Sequence, residues 1–126
     1  MIAVVDDDAD QRLTLKLALE LAGYGVRDAA NGAQALALQR ERASPLLITD
    51  IFMPESDGFE VIAAFRREFP QTRIIAVSGG GQRAKHDYLA SATLMGVDAT
   101  FQKPFEIEAL LKTLDTLQKA SRGDAK

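Results

Sequence analysis

The chain has 126 residues, 47% of them hydrophobic, and a formal net charge of -3. This composition predicts one folded domain, and the negative charge argues against a broad nucleic-acid-binding surface. The absence of cysteine excludes disulfides and thiolate metal sites. No apolar run approaches the roughly 20 residues that span a membrane, and the N-terminus lacks the features of a signal peptide. We therefore expect a soluble cytoplasmic domain.

The first half of the chain predicts two strands, each followed by a helix. A short apolar run predicts a buried first strand, and Leu13, Leu17 and Leu21 have the spacing of one helix face. Gly23 ends that helix, and Asn31 is a good N-cap for the next one. The predicted elements are a strand at residues 2–5, a helix at 8–22, a more polar strand near a sheet edge at 24–29 and a helix at 32–42.

The second half repeats this alternation three times. Pro70 ends the third helix, and an apolar stripe at helical spacing marks the last one. That stripe comprises Ile107, Leu110, Leu111, Leu114 and Leu117. The predicted strands lie at residues 46–49, 73–78 and 99–102, and the helices lie at 58–69, at a stretch ending near Met95, and at 106–119.

Five strand–helix units in alternation predict an α/β fold. Short apolar strands separated by helices form a parallel sheet that is covered on both faces. We predict a doubly wound, flavodoxin-like (βα)5 domain with strand order 2-1-3-4-5. The domain takes in residues 1–120, and residues 121–126 form a polar tail that we expect to be frayed.

Polar residues stand where the predicted strands end. Asp6 and Asp7 end the first strand, Asp50 the third, Ser78 the fourth and Lys103 the fifth. Ligands of such sheets bind outside the carboxyl ends of the strands, where these side chains would converge. Three neighbouring carboxylates suit Mg²⁺, and an added lysine and hydroxyl complete the groups that phosphoryl transfer requires.

Four motifs at these strand ends resemble the receiver domain of two-component response regulators. They are the acidic pair in "VVDDD", the segment "ITDIFMPESDG", the step "AVSG" and the triplet "KPF". Each motif alone is a weak signal, but their order and their positions at strand ends make the resemblance strong. It covers essentially the whole chain.

The resemblance implies a phosphoacceptor and a metal site. Asp50 corresponds to the aspartate that accepts a phosphoryl group from a histidine kinase or a histidine phosphotransfer protein. Asp7 corresponds to a direct Mg²⁺ ligand, and Asp6 to a ligand that acts through a coordinated water. The backbone carbonyl of Phe52 would be a further ligand.

The resemblance also implies groups that hold the phosphoryl group and shape the site. Ser78 corresponds to the hydroxyl that moves to a phosphoryl oxygen, and Lys103 to the lysine that pairs with the phosphoryl group. Pro104 completes a Lys-Pro step whose bond is typically cis in the family. Pro54 and Gly58 would shape the loop beside Asp50.

A domain of this family is expected to signal rather than to act as an enzyme, although it assists its own phosphorylation and dephosphorylation. Phosphorylation would shift the population between two shapes and change the surface formed by the helix ending near Met95, the last strand and the last helix. The expected partner is a downstream protein, with no direct contact to nucleic acid or membrane. A homodimer is left open.

Three features depart from the family pattern. Thr100 occupies a position that is often Tyr or Phe, and strand alternation points the neighbouring Phe101 to the opposite face. The separation between Ser78 and Lys103 is a few residues longer than usual. Phe52 and Gly80 lie at positions that commonly tune dephosphorylation, and a ring at Phe52 would shield the acyl phosphate, so we expect slow self-hydrolysis.

Other interpretations remain open from the residues alone. Asp8 and Asp10 fit the start of the first helix, and His86 fits an exposed helix position. The chain could also be a pseudo-receiver that binds partners without being phosphorylated. The run "GGGQRA" at residues 79–84 formally fits a dinucleotide-binding loop, so a flavodoxin-like nucleotide- or flavin-binding protein is a weaker alternative.

Overall fold

A computed structural model of the chain describes residues 1–51, 58–78, 96–103 and 105–124. Within these ranges the chain forms five strands and four helices. The strands are β1 (Ile2–Val5), β2 (Val26–Ala29), β3 (Leu46–Asp50), β4 (Arg73–Ser78) and β5 (Ala99–Gln102). The helices are α1 (Ala9–Leu21), α2 (Gly32–Glu41), α3 (Gly58–Glu68) and α4 (Ile107–Asp124). The helix predicted to end near Met95 lies outside the described residues.

The five strands form one parallel sheet in the order β2-β1-β3-β4-β5. This confirms the predicted fold class and strand order, with the more polar β2 at one edge. In the centre, Val5 of β1 pairs with Thr49 of β3, and Asp50 pairs with Val77 of β4. The carboxyl ends of these strands therefore lie side by side.

Helices α2 and α3 cover one face of the sheet because alternate strand residues point toward them. Strand residues Ala3, Val5, Leu47, Ile74 and Ala76 form one buried cluster with residues of these two helices. Within it, Ile62 and Phe65 of α3 are fully buried, and Phe69 packs against them. Helix α3 therefore turns an apolar face toward the sheet.

Helices α1 and α4 cover the opposite face. The strand residues that alternate with the first set, among them Val4, Ile48 and Ile75, pack with Leu110 and Leu114 of α4. The predicted apolar stripe of the last helix therefore faces the core. Helix α1 contributes Leu19, which is fully buried, whereas Leu13, Leu17 and Leu21 are exposed.

The last helix is longer than the sequence indicates. It continues to Asp124, so residues 121–124 of the expected tail have helical backbone. No proline interrupts residues 120–124, and without one a helix can continue beyond its last apolar contact. Within the described ranges, no helix combines the length and the hydropathy that crossing a membrane requires.

A network at the amino ends of the strands fixes β5 beside β4. The backbone N–H of Asp98 donates to the carbonyl of Ile74 at 2.8 Å, and the N–H of Ile74 donates to Asp98 Oδ2 at 2.7 Å. Arg66 of α3 pairs with the same carboxylate at 3.1 Å and donates to the carbonyl of Thr72 at 2.8 Å. These bonds set the position of β5 and of the residue that follows it, Lys103.

Candidate functional site

Three carboxylates meet at the carboxyl edge of the sheet. Asp6 and Asp7 directly follow β1, and Asp50 is the last residue of β3. One oxygen from each side chain lies within 4.8 Å of one oxygen from each of the others. Asp6 and Asp50 are 6% and 8% exposed, whereas Asp7 is exposed to solvent. The structure thus brings together the three acidic residues that the sequence predicts to converge.

Lys103 supplies a positive charge to this cluster. Its backbone N–H donates to the carbonyl of Ser78 at 2.8 Å, which places the residue directly beyond β5. Its Nζ lies 3.2 Å from Asp6 Oδ2 and 3.2 Å from Asp50 Oδ2. Burial acts to lower the pKa of Lys103, but attraction to Asp50 and Asp6 and hydrogen bonds to both raise it above its ordinary value. The ammonium is therefore charged at neutral pH.

Gln11 is a residue of the site that the sequence analysis missed. Its Oε1 accepts a third hydrogen bond from Lys103 Nζ. Gln11 lies three residues after Asp8, which is the spacing of a capping box, in which the glutamine would bind the backbone of the capping residue. From that pattern alone, the side chain of Gln11 would be predicted to bind the helix terminus and not the site.

The loop that carries Asp6 and Asp7 is held at both ends. The side chain of Asp8 caps α1 by accepting from the N–H groups of Asp10 and Gln11 at 3.0 and 3.1 Å. Arg12 donates to the backbone carbonyl of Asp6 at 2.8 Å and to Asp28 Oδ2 at 3.0 Å. These bonds tie the acidic loop to α1 and β2, and they confirm that Asp8 belongs to the start of the helix.

Ser78 ends β4 with a fully buried side chain. Among the described residues its Oγ has no hydrogen-bond partner. A buried hydroxyl left without a partner costs about 1–3 kcal/mol. A buried hydroxyl without a partner among the described residues is a candidate for binding a group brought to this edge of the sheet.

The residues before Lys103 face in opposite directions, as strand alternation predicts. Phe101 packs on the face covered by α1 and α4, and its ring centre lies 5.3 Å from that of Phe105, with the ring planes tilted by 47°. Thr100 pairs with Ala76, which belongs to the cluster on the other face. Phe101 therefore does not replace the missing aromatic residue at Thr100.

Several predicted site residues lie outside the described ranges. They are Phe52, Pro54, Gly80 and Pro104. His86 and the glycine run at residues 79–81, for which no such role is predicted, also lie outside these ranges. Gly58 is described and opens α3.

The cluster has the chemistry of a divalent-cation site. Carboxylate oxygens are hard ligands that suit Mg²⁺, which proteins hold through a few carboxylates and waters. Three aspartates with one lysine leave an excess of negative charge at the edge of the sheet, and a divalent cation would offset it. The residues present therefore fit Mg²⁺.

Comparisons with known proteins place the chain in one family. The sequence model described as "Response regulator receiver domain" matches residues 2–115. The chain is 35% identical over 119 residues to the chemotaxis protein CheY of Bacillus subtilis, covering 90% of this chain and 97% of that protein. It is 35% identical over 122 residues to the transcriptional regulatory protein ResD of the same organism, covering 96% of this chain and 49% of that protein.

The fold gives the same result. The receiver domain of NtrX from Brucella abortus superimposes with a TM-score of 0.87 at 27% identity, covering 94% of this chain and 98% of that domain. The match in sequence and in fold favours this family over the flavodoxin-like, nucleotide-binding alternative.

Proposed function

This chain belongs to the response regulator receiver domains, and from that premise we propose that its Asp50 accepts a phosphoryl group from a histidine kinase or a histidine phosphotransfer protein. Domains of this family are phosphorylated signalling domains of two-component systems rather than classical enzymes. They bind Mg²⁺ at an acidic pocket and contact kinases or phosphotransfer proteins and downstream effectors.

One observation carries the proposal for Asp50. Its carboxylate lies 3.2 Å from the ammonium of Lys103 and within 4.8 Å of the oxygens of Asp6 and Asp7. A nucleophilic carboxylate that receives an anionic group needs positive charge close to it, because otherwise the two would repel. Lys103 supplies such a charge on one side, and the acidic pair could hold another.

The proposed transfer step is a displacement at phosphorus. An Asp50 oxygen forms a bond to phosphorus while the bond from phosphorus to the donor's imidazole nitrogen breaks. The electron pair of that bond stays on the imidazole, and Asp50 becomes an acyl phosphate. Because the side chain then carries more negative charge than the carboxylate did, Lys103 would pair with the phosphoryl oxygens and stabilise the product.

The acidic residues would divide the metal site between them. The Oδ1 of Asp6 accepts from the N–H of Asp8 at 2.9 Å and its Oδ2 accepts from Lys103, which supports a role for Asp6 through a coordinated water. The exposed side chain of Asp7 is the better candidate for direct ligation, and Asp50 and the backbone carbonyl of Phe52 would be further ligands. Mg²⁺ held there would offset the charge of the phosphoryl oxygens.

Ser78 would respond to the transferred group. Its buried hydroxyl could donate to a phosphoryl oxygen and so gain the partner that it lacks among the described residues. The new bonds to Ser78 and Lys103 would favour one of two shapes of the domain, which a downstream protein partner reads. At Thr100 this response would proceed without the aromatic side chain that is common in the family.

Intact-mass measurement after incubation with acetyl phosphate and Mg²⁺ tests the phosphoacceptor. We expect the wild type to gain the mass of one phosphoryl group and Asp50→Asn to gain none, because the amide oxygen is a poor nucleophile. Asp115→Asn is the matched control, since Asp115 lies on α4 and pairs with Lys119. It should be phosphorylated as the wild type is.

Two results would contradict the proposal. If Asp50→Asn still gained the phosphoryl group, the acceptor would be another residue. If the wild type gained none with acetyl phosphate or with phosphoramidate, the chain would be an interaction module that is not phosphorylated.

A further inference from the structure

The first turn of α1 departs from the usual arrangement of a capping box. Asp8 caps the helix and Gln11 follows at the third helical position, where a glutamine ordinarily accepts from the backbone N–H of the capping residue. Here that N–H donates to Asp6 Oδ1 at 2.9 Å instead. The carboxamide of Gln11 is thereby released from the helix terminus and turns to Lys103.

With this contact, each N–H donor of the Lys103 ammonium has an acceptor. An ammonium has three N–H donors, and Lys103 has three acceptors: Asp6 Oδ2, Asp50 Oδ2 and Gln11 Oε1. Two of these acceptors are charged and belong to the proposed metal and phosphoacceptor groups. Gln11 is neutral and comes from a different element of the fold, so it can keep its bond when the charges on the other two change.

We propose that Gln11 is a positioning residue for Lys103, holding the ammonium beside Asp50 so that it meets the incoming phosphoryl group. This inference rests on the function proposed for Asp50 and adds a residue to it. A lysine side chain has four carbons and loses considerable rotamer freedom when it is fixed. A neutral acceptor on the rigid first turn of α1 would fix the lysine side chain before the reaction. The entropy cost of ordering that side chain would then not add to the barrier of the transfer step.

The geometry gives Gln11 an advantage over a carboxylate at the same place. A fourth carboxylate would add to the excess negative charge and repel an anionic phosphoryl donor. A glutamine keeps the acceptor oxygen without the charge. The backbone of Gln11 is also fixed, since its N–H donates to Asp8 Oδ1 at 3.1 Å and the adjacent Arg12 binds the carbonyl of Asp6 at 2.8 Å.

Two substitutions of Gln11 distinguish the effect of its acceptor oxygen from the effect of its side-chain size. Gln11→Met keeps the length of the side chain and removes the carbonyl oxygen, whereas Gln11→Glu keeps an acceptor oxygen. Gln71→Met is the matched control, since Gln71 is an exposed glutamine that precedes β4 at the opposite end of the sheet. All three proteins are first compared with the wild type by urea unfolding to establish that they are folded.

The first measurement does not depend on phosphorylation. The side-chain order parameter of Lys103 at Cε is determined by NMR in the unphosphorylated proteins. We expect it to fall in Gln11→Met and to be retained in Gln11→Glu and Gln71→Met. An unchanged order parameter in Gln11→Met would overturn the positioning role, whether or not Asp50 is the phosphoacceptor.

The second measurement is the rate of phosphorylation by acetyl phosphate at saturating Mg²⁺. Losing one hydrogen bond of ordinary strength should slow Gln11→Met by about two- to tenfold, with Gln71→Met at the wild-type rate. A wild-type rate in Gln11→Met would overturn the proposal even if Lys103 becomes more mobile. Failure of the wild type itself to react would instead contradict the function proposed for Asp50, and the NMR result would then decide the contact alone.

Discussion

The charge of Lys103 contributes to the stability of the folded domain. Burial acts to lower its pKa, but the attraction of Asp50 and Asp6, with hydrogen bonds to both, raises it above the ordinary value of 10.5. A pKa that is higher in the folded state than in the unfolded state means that folding favours the protonated ammonium. The stabilisation is complete below the unfolded pKa and is lost as the pH rises through the folded pKa.

This linkage predicts how Lys103→Met behaves with pH. Compared with this variant, the wild type should have its largest advantage in free energy of unfolding near neutral pH. The advantage should shrink as the pH rises past 10.5, because the unfolded wild type then begins to release the proton that the folded protein still holds. Urea unfolding of both proteins between about pH 8 and about pH 11 measures the difference. A difference that stays constant or grows over this range would contradict the assignment.

The convergence of the charged residues was predictable, whereas the contact to Gln11 was not. Asp6, Asp50 and Lys103 each end a strand of a parallel sheet, and strand ends in such a sheet share one edge. In a capping box Gln11 would accept from the N–H of Asp8, but here Asp6 accepts from that N–H and Gln11 accepts from Lys103. Such an exchange of partners depends on three-dimensional placement and leaves no trace in residue spacing.

Helix α1 shows how a correct helix prediction can leave its buried face undetermined. Leu13, Leu17 and Leu21 follow one another at the spacing of one face, yet they are 53%, 50% and 90% exposed. The helix instead buries Leu19, with Leu15 packed beside it. Two leucine-bearing faces occur in this helix, and periodicity alone does not decide between them.

Charged side chains settle the orientation of α1. Arg12 and Lys16 lie on the side that faces β2, where they pair with Asp28 at 3.0 and 3.6 Å. Arg12 also binds the carbonyl of Asp6. These contacts fix the rotation of the helix, and the sequence could not predict them because they join residues that are distant along the chain.

Two substitutions in α1 should therefore have very different effects. Leu19→Ala removes a fully buried side chain and should lower the free energy of unfolding by about 2–5 kcal/mol. Leu17→Ala removes a half-exposed side chain and should change it by about 0.5 kcal/mol or less. Urea unfolding of both variants measures the contrast, and equal losses would mean that the helix is rotated from the orientation described.

The parallel sheet as a whole was predictable from the alternation of strands and helices. The bounds of β4 and β5 are those that the sequence predicts, because apolar residues and strand ends coincide there. The end of α4 was not predictable, since helical backbone continues to Asp124 beyond the last apolar residue of its stripe. The apolar residues of a helix predict which part of it packs against the core. They do not predict the residue at which the helix ends.

Metal binding should stabilise the whole domain, because the acidic cluster is assembled only in the folded state. A ligand present at a hundred times its Kd adds about 2.7 kcal/mol to the free energy of unfolding. We expect Mg²⁺ to raise the Tm of the wild type and to raise that of Asp7→Asn much less.

Thermal unfolding with Mg²⁺ and after removal of Mg²⁺ by EDTA measures this effect. Asp10→Asn is the control, since Asp10 is an exposed aspartate in the first turn of α1, close to the cluster. It should respond as the wild type does. An equal rise in all three proteins would indicate a general effect of salt.

The hydrogen bond from Lys103 N–H to the carbonyl of Ser78 has a consequence for how such a domain can diversify. It continues the β4–β5 ladder as far as Lys103, so the two strands hold the backbones of Ser78 and Lys103 side by side. Doubling the length of a connection costs only about 0.6 kcal/mol in closure entropy. We therefore expect that the connection between β4 and β5 can become longer during evolution, as binding partners change, while Ser78 and Lys103 remain side by side.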